Sequence, residues 1–266
     1  MTPSQTKEDG FNPKVSLSYT PNDSVMFYGL VSEGFRFGTP NTSGLSAYPI
    51  PSGSKSDSLV NYELGTRTSW AGGRFLLDAT AFYVDWKDIQ LRLQTPDFYN
   101  YAANGGKAYS RGIELSTQWR PTDQFEWAGS VTWQHARLDQ DLFILYYGTA
   151  PAGSQLPGSA DWSINNTLRY HFDAAYDPTL SLSHQYLSKG ISDLNSAVPG
   201  MTPNVQGNYN LFDLRYSMTF GGTEVSLWGT NLTDKRGITR EVAEVNGIGQ
   251  GIVRPRTVGM TVHWKY

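Results

Sequence analysis

His135, His171, His184 and His263 are the residues best suited to holding a metal or moving a proton. None stands at ligand spacing from another, and no cysteine is present to complete a site, so spacing gives no metal centre. Asp85 and Asp88 are close in sequence. Their odd separation puts them on opposite faces of a strand, which makes them a poor acid–base pair. Gly105-Gly106-Lys107 matches the end of a phosphate loop, but Tyr101 stands where the loop's first glycine belongs. The sequence therefore predicts no enzyme, no metal and no cofactor. What remains is recognition. The stretch T-P-D-F-Y-N-Y-A-A-N at 95–104 offers Phe98, Tyr99 and Tyr101 as ligand contacts. Packing of those rings against neighbouring loops is the plainer use of them. Glu33, Arg36, Glu63 and Arg67 offer a charge network on one wall, with a merely solvated wall as the alternative.

The elements that must position these residues are strands. The 266 residues are 39% hydrophobic and 14% aromatic, with 16 Tyr, 8 Trp and 27 Gly. There is no apolar run long enough for a transmembrane helix. A membrane barrel remains open, because only alternate residues of its strands meet lipid. Net charge is −3 and spread singly, so nothing points to nucleic acid. The final stretch, R-P-R-T-V-G-M-T-V-H-W-K-Y, alternates throughout: Val258, Met260, Val262, Trp264 and Tyr266 on one side, and Thr257, Gly259, Thr261, His263 and Lys265 on the other. That is an extended strand with one apolar face and one wet face. Alternation, less regular over 24–36 and ambiguous before Phe82 in 74–93, predicts strands over 13–20, 24–36, 59–70, 74–93, 107–119, 125–138, 161–172, 179–187, 208–220 and 223–232.

The connections carry the strongest signal. Short turns near Asn22, Gly72, Thr122, Asp173 and Gly221 alternate with long loops near 37–58, 95–106, 139–158, 188–207 and 233–251. An outer-membrane barrel has this rhythm, with short periplasmic turns at one rim and longer extracellular loops at the other. The wet faces carry Glu63, Arg67, Glu114, Arg169, Asp213 and Arg215, which a lumen accepts and lipid does not. The count is about eleven strands. An odd number cannot close antiparallel on itself, since the first and last strands run the same way. Two copies side by side meet the same clash. The expectation is an all-β, antiparallel transmembrane β-barrel segment that needs further strands, and that is unstable in lipid by itself because an open edge leaves backbone groups unpaired.

Several stretches resemble the C-terminal half of the TonB-dependent outer-membrane receptors. N-P-K-V-S-L-S-Y-T-P and V-M-F-Y-G-L-V-S-E-G-F-R lie within 12–36, N-Y-E-L-G-T-R at 61–67 and F-Y-V-D-W-K-D-I-Q at 82–90. Ser110-Arg111-Gly112-Ile113-Glu114 follows the family's S-R-G-x-E pattern, and Asn231-Leu232-Thr233-Asp234-Lys235 its N-L-T-D-K motif. The resemblance covers nearly the whole chain. It implies a barrel of roughly 22 strands around a plug. It also implies import of a scarce nutrient across the bacterial outer membrane: a ferric siderophore first, with cobalamin or a carbohydrate as alternatives. The partners implied are outer-membrane lipid, the TonB system acting through the plug, and the barrel-assembly machinery, which would read Trp264 and Tyr266 as its terminal signal. This stretch shows neither the plug nor the first barrel half, and its opening residues lack the pattern of a signal peptide. A passive porin-like barrel and a soluble all-β binding protein are the competing readings.

Overall fold

A computed structural model describes residues 9–42, 44, 46–244 and 247–264. Among these, eleven strands form one continuous antiparallel sheet in chain order. They are β1 (Lys14–Asn22), β2 (Val25–Arg36), β3 (Asp57–Trp70), β4 (Phe75–Lys87), β5 (Ala108–Trp119), β6 (Phe125–Leu138), β7 (Trp162–His171), β8 (Thr179–Leu187), β9 (Tyr209–Phe220), β10 (Thr223–Thr230) and β11 (Thr257–Trp264). The strand count and the alternation of short turns with long loops agree with the sequence. The sheet is open: among the described residues β1 pairs only with β2, and β11 only with β10.

The register fixes which residues share a face. Glu63 lies opposite Leu30 and Phe82, and Arg67 opposite Met26 and Asp78. Glu114, Thr132 and Ser163 continue that face across β5, β6 and β7, as do Ser183 and Asp213 on β8 and β9. This is the polar, lumenal side. The other side carries Leu64, Ile113, Leu115, Leu214 and Leu227, all exposed. Aromatic rings bound it at both ends, with Tyr62, Tyr83 and Trp162 toward the long loops and Trp70, Trp119, Phe220 and Trp264 toward the short turns. An apolar band between two aromatic belts is the outer surface of a membrane barrel.

Two features of the wall depart from a simple rule of apolar outward and polar inward. Phe82, Val84 and Trp86, an apolar set, share the lumenal face with Glu63, while small Ala79 and Ala81 face outward beside Thr66 and Leu64. Glu33 pairs with Val60 and so faces outward, away from Arg36. The predicted strand over 74–93 also divides. Asp88 adopts the left-handed backbone (φ 53°), which ends β4 at Lys87. Residues Gln90–Gln94 turn back to pair with Asn100–Asn104, so most of the expected loop at 95–106 belongs to a hairpin. Ribbons of the same kind occur within three of the other long connections, at Leu142–Ile144 with Gly148–Ala150, Gly190–Ile191 with Val205–Gln206, and Ile238–Glu244 with Gly247–Ile252.

The buried core lies in the loops. The wall has solvent on one side and lipid on the other, so it has no interior of its own. Ile89, Leu91, Leu93, Tyr101, Leu138, Ile144, Leu156, Leu194 and Val198 form one apolar cluster drawn from three of the long connections and the upper end of β6. Leu138 and Ile144 are completely buried. The long loops therefore form a packed crown at one rim.

Candidate functional site

The lumenal wall presents an open trough of about 840 Å³. Glu63 and Arg67 both line it, with Tyr28, Asp78, Phe82 and Glu114. The Arg67 guanidinium lies 5.8 Å from the centre of the Tyr28 ring and 3.9 Å from the Asp78 carboxylate. Both partners of that ion pair are more than half exposed, so it contributes little to stability. Tyr28 lies flat across β3 because Gly65 faces it, and a Cβ there would fall 2.4 Å from the ring. The Tyr28 hydroxyl then reaches Thr80 Oγ1 at 2.7 Å. Asn61 Nδ2 donates to Glu63 Oε1 at 2.7 Å. Glu63 and Arg67 therefore sit on one wall but hold different partners.

Arg36 belongs to a separate site at the rim. Its guanidinium grips Asp57 with both Nε and Nη2 and lies over the Trp86 ring, 4.8 Å from its centre. The Asp57 side chain is 1% exposed. It also accepts hydrogen bonds from the Trp86 indole (3.0 Å) and the Gln90 backbone N–H (3.0 Å). The Gln90 side chain donates to the Phe37 carbonyl and accepts from the Ser54 hydroxyl. One carboxylate thus joins β2, β3, β4 and the hairpin above them. Asp57 opens β3 from within a connection expected to be loop, and nothing local in the sequence marks it.

Above this knot is a cleft of about 300 Å³ lined by Arg36, Trp86, Arg92, Asp193, Asn195 and Arg240. Arg92 and Arg240 are exposed, and among the described residues neither has an ion-pair partner. Arg36 is held by Asp57, while Asp193 spends its oxygens on Ser196 and Asn204. The cleft therefore offers two free guanidinium groups near an indole face. That suits a planar or multidentate anion, which an arginine binds through paired N–H donors. Arg92 and Arg240 were not singled out in the sequence. The L-R-L alternation at 91–93 is the one local sign of an outward arginine on a buried-edged hairpin.

The three aromatic candidates serve the crown. Tyr101 is 3% exposed and sits in its apolar core. The Tyr99 hydroxyl donates to the Thr42 carbonyl at 3.0 Å. Phe98 occupies the left-handed region (φ 64°) at the hairpin tip and is half-buried. The hairpin is stitched to the connection before β3. Asn41 exchanges two hydrogen bonds with Ala102, and Asn104 exchanges two with Lys55. At the tip Asp97 accepts from the Thr95 and Ser46 hydroxyls and from the Ala47 N–H. These donors, Thr95 first, hold the Asp97 carboxyl down at about 2, against an ordinary value of 3.8. Because the folded pKa is depressed, the clasp contributes its full stability above the unfolded value. It weakens only as pH falls from there toward 2. Hydrogen exchange of residues 46–48 and 95–99 should accordingly be flat, once corrected for intrinsic rates, from pH 7 to 5. An Asp97→Asn variant should already show faster exchange at pH 7.

Trp264 pairs with Thr223 on the outward face at the short-turn rim, while Tyr266 lies outside the described residues. Among the described residues no group of three or more His, Cys, Asp or Glu side chains converges on a metal position.

A family model described as "TonB dependent receptor-like, beta-barrel" matches residues 2–232. The pesticin receptor of Yersinia pestis is 30% identical over 174 residues, covering 59% of this chain and 24% of that protein. The chain thus aligns with about a quarter of the length of the curated relatives it matches. Among solved structures, the ferric yersiniabactin uptake receptor from Yersinia pestis superposes with a TM-score of 0.74 at 23% identity, covering 94% of this chain and 36% of that one. The ferripyoverdine receptor of Pseudomonas aeruginosa superposes with a TM-score of 0.67 at 17% identity, covering 97% and 33%. These matched relatives are receptors rather than enzymes. An open wall of outward-apolar, inward-polar strands, capped by packed loops and matched along its length by this family, leads to one assignment: the chain belongs to the TonB-dependent receptor β-barrel family of the bacterial outer membrane.

Proposed function

We propose that this chain forms part of the wall and crown of a plug-filled receptor that imports a ferric siderophore, driven through TonB. The cleft under the crown carries this reading. Arg92 and Arg240 face it without ion-pair partners among the described residues, and Trp86 lines its floor. An anionic ferric chelate is a cargo that two free guanidiniums and an aromatic face would hold. Cobalamin or a neutral carbohydrate has less use for such charge. The relatives named for ferric yersiniabactin and ferripyoverdine support the same class.

The remaining parts of the reading follow from the wall. β1 and β11 run in the same direction with free outer edges, so additional strands from the rest of a roughly 22-stranded barrel would close the ring. Glu63 and Arg67 face the trough where a plug would sit. Trp264 and Tyr266 would form the terminal signal for barrel assembly. Nothing in this role asks for catalysis.

The test is uptake of radioactive iron by cells that carry the receptor containing this chain and lack other siderophore receptors. Uptake should require TonB and should favour anionic chelates. An Arg92→Ala, Arg240→Ala variant should bind such a chelate about 100-fold more weakly, the low end for two lost charge-assisted contacts at exposed groups. Strict preference for cobalamin or a neutral sugar, or unchanged affinity in the double variant, would refute the proposal.

A further inference from the structure

A polar ladder crosses the lipid-facing side of the wall, where apolar residues are expected. The Trp127 indole N–H donates to Asn166 Oδ1 at 3.1 Å. Asn166 Nδ2 lies 3.3 Å from His184 Nδ1, and His184 Nε2 lies 2.9 Å from Asn210 Oδ1. The four side chains come from β6, β7, β8 and β9 in turn. The pairing puts them on the outward face: Asn166 opposite Gly129 and His184, flanked along its own strand by Ile164 and Leu168, which meet Val131 and Trp127. Asn166 and His184 lie midway between the two aromatic belts. Asn210 is opposite Tyr186, at the belt on the long-loop side.

The donors of the ladder all point one way. An indole can only donate, so Asn166 must turn Oδ1 toward Trp127 and its amide toward His184. His184 Nδ1 then accepts, its proton resides on Nε2, and that proton goes to Asn210 Oδ1. The line of donors ends at Asn210. Asn210 Nδ2 keeps two N–H donors, and among the described residues they have no acceptor. The ladder is a built feature. Gly129 leaves the space into which the Trp127 indole bends, since a Cβ there would sit 2.8 Å from the ring. Phe212 stacks on the His184 imidazole at 4.8 Å.

A line of hydrogen bonds on the lipid-facing side of the wall that ends on spare donors calls for an acceptor. Asn210 is exposed at the depth of the interfacial belt, where the acceptors include the carbonyls that join acyl chains to lipid headgroups. We propose that the Trp127–Asn166–His184–Asn210 ladder is a specific binding site for a membrane lipid in the leaflet next to the crown, with the Asn210 amide donating to an acyl carbonyl. The inference takes from the family assignment only that this face meets the bilayer. It is independent of the cargo.

The test uses the purified receptor that contains this chain, placed in nanodiscs of diacyl phosphatidylethanolamine or of its dialkyl ether analogue, which has no acyl carbonyl. Tightly held lipid is counted by native mass spectrometry. The intact protein should retain the diacyl lipid about fivefold more than the ether analogue, the size of one hydrogen bond. Asn210→Leu should abolish that preference, and Leu227→Ala, on the same face at another strand, should keep it. Equal retention of the two lipids by the intact protein would overturn the proposal even if Asn210→Leu failed to fold. So would a photocrosslinker at Leu182 that captured a protein instead of lipid.

Discussion

Leu138→Ala should loosen the crown and leave the barrel wall intact. Leu138 ends β6 fully buried, within the cluster that includes Ile144, Leu156 and Leu194. Truncating it removes apolar contacts and leaves a cavity that the short ribbons around it cannot collapse to fill. The expected cost is about 2–4 kcal/mol. That cost falls on the crown because the wall holds itself together by its hydrogen-bond ladders, with Leu138 paired to Ala108 at the very end of one of them. Hydrogen exchange should rise together in 89–104, 138–156 and 190–206, while the amides of β3 to β5 keep their protection. Exchange rising in only one of those segments would show that the loops do not share a core.

The second large effect is expected at Asp57. Asp57→Ala removes the acceptor shared by Arg36, the Trp86 indole and the Gln90 backbone N–H. A buried carboxylate with that many charge-assisted bonds contributes several kcal/mol, but the Arg36 side chain is 52% exposed, and water takes up part of what the variant abandons. A net loss of about 2–3 kcal/mol follows. Asp57→Asn keeps an acceptor for the indole and the N–H while losing the charge, so its loss should be roughly half as large. Thermal melting of the crown, followed by the fluorescence of Trp86 against a background of Trp-to-Phe variants at the wall, would rank the two. An asparagine variant as damaged as the alanine variant would mean that the charge alone matters.

The wall could be read directly because lipid and lumen impose the same period on every strand. Val258, Met260, Val262 and Trp264 alternate with polar residues for that reason, and the structure keeps each on the face assigned to it. The division of faces was less readable where lumenal residues are themselves apolar. Trp86 turns inward because it floors the cleft and packs against the crown core, leaving small Ala79 and Ala81 for lipid. The hairpin at 90–104 was hidden because Q-L-R-L-Q continues the strand pattern across the left-handed turn at Asp88. Period two cannot distinguish a strand in the wall from a ribbon standing above it. The candidate site was hidden for a different reason. Arg36 and Asp57 meet only when β2 and β3 pair, and Arg92 and Arg240 meet only when two distant loops fold over one rim.

A shared core also has a kinetic meaning for the crown. Loops that each packed alone would flicker independently, and a solute would slip past whichever one happened to be open. Here Leu91, Tyr101, Ile144 and Leu194 are buried against one another, so lifting one connection strips apolar cover from the rest. Such a crown is expected to open as a single cooperative unit. Access to the lumen should then follow one relaxation rate, and the probability of a gap wide enough for a small solute should fall as steeply as that for a large one.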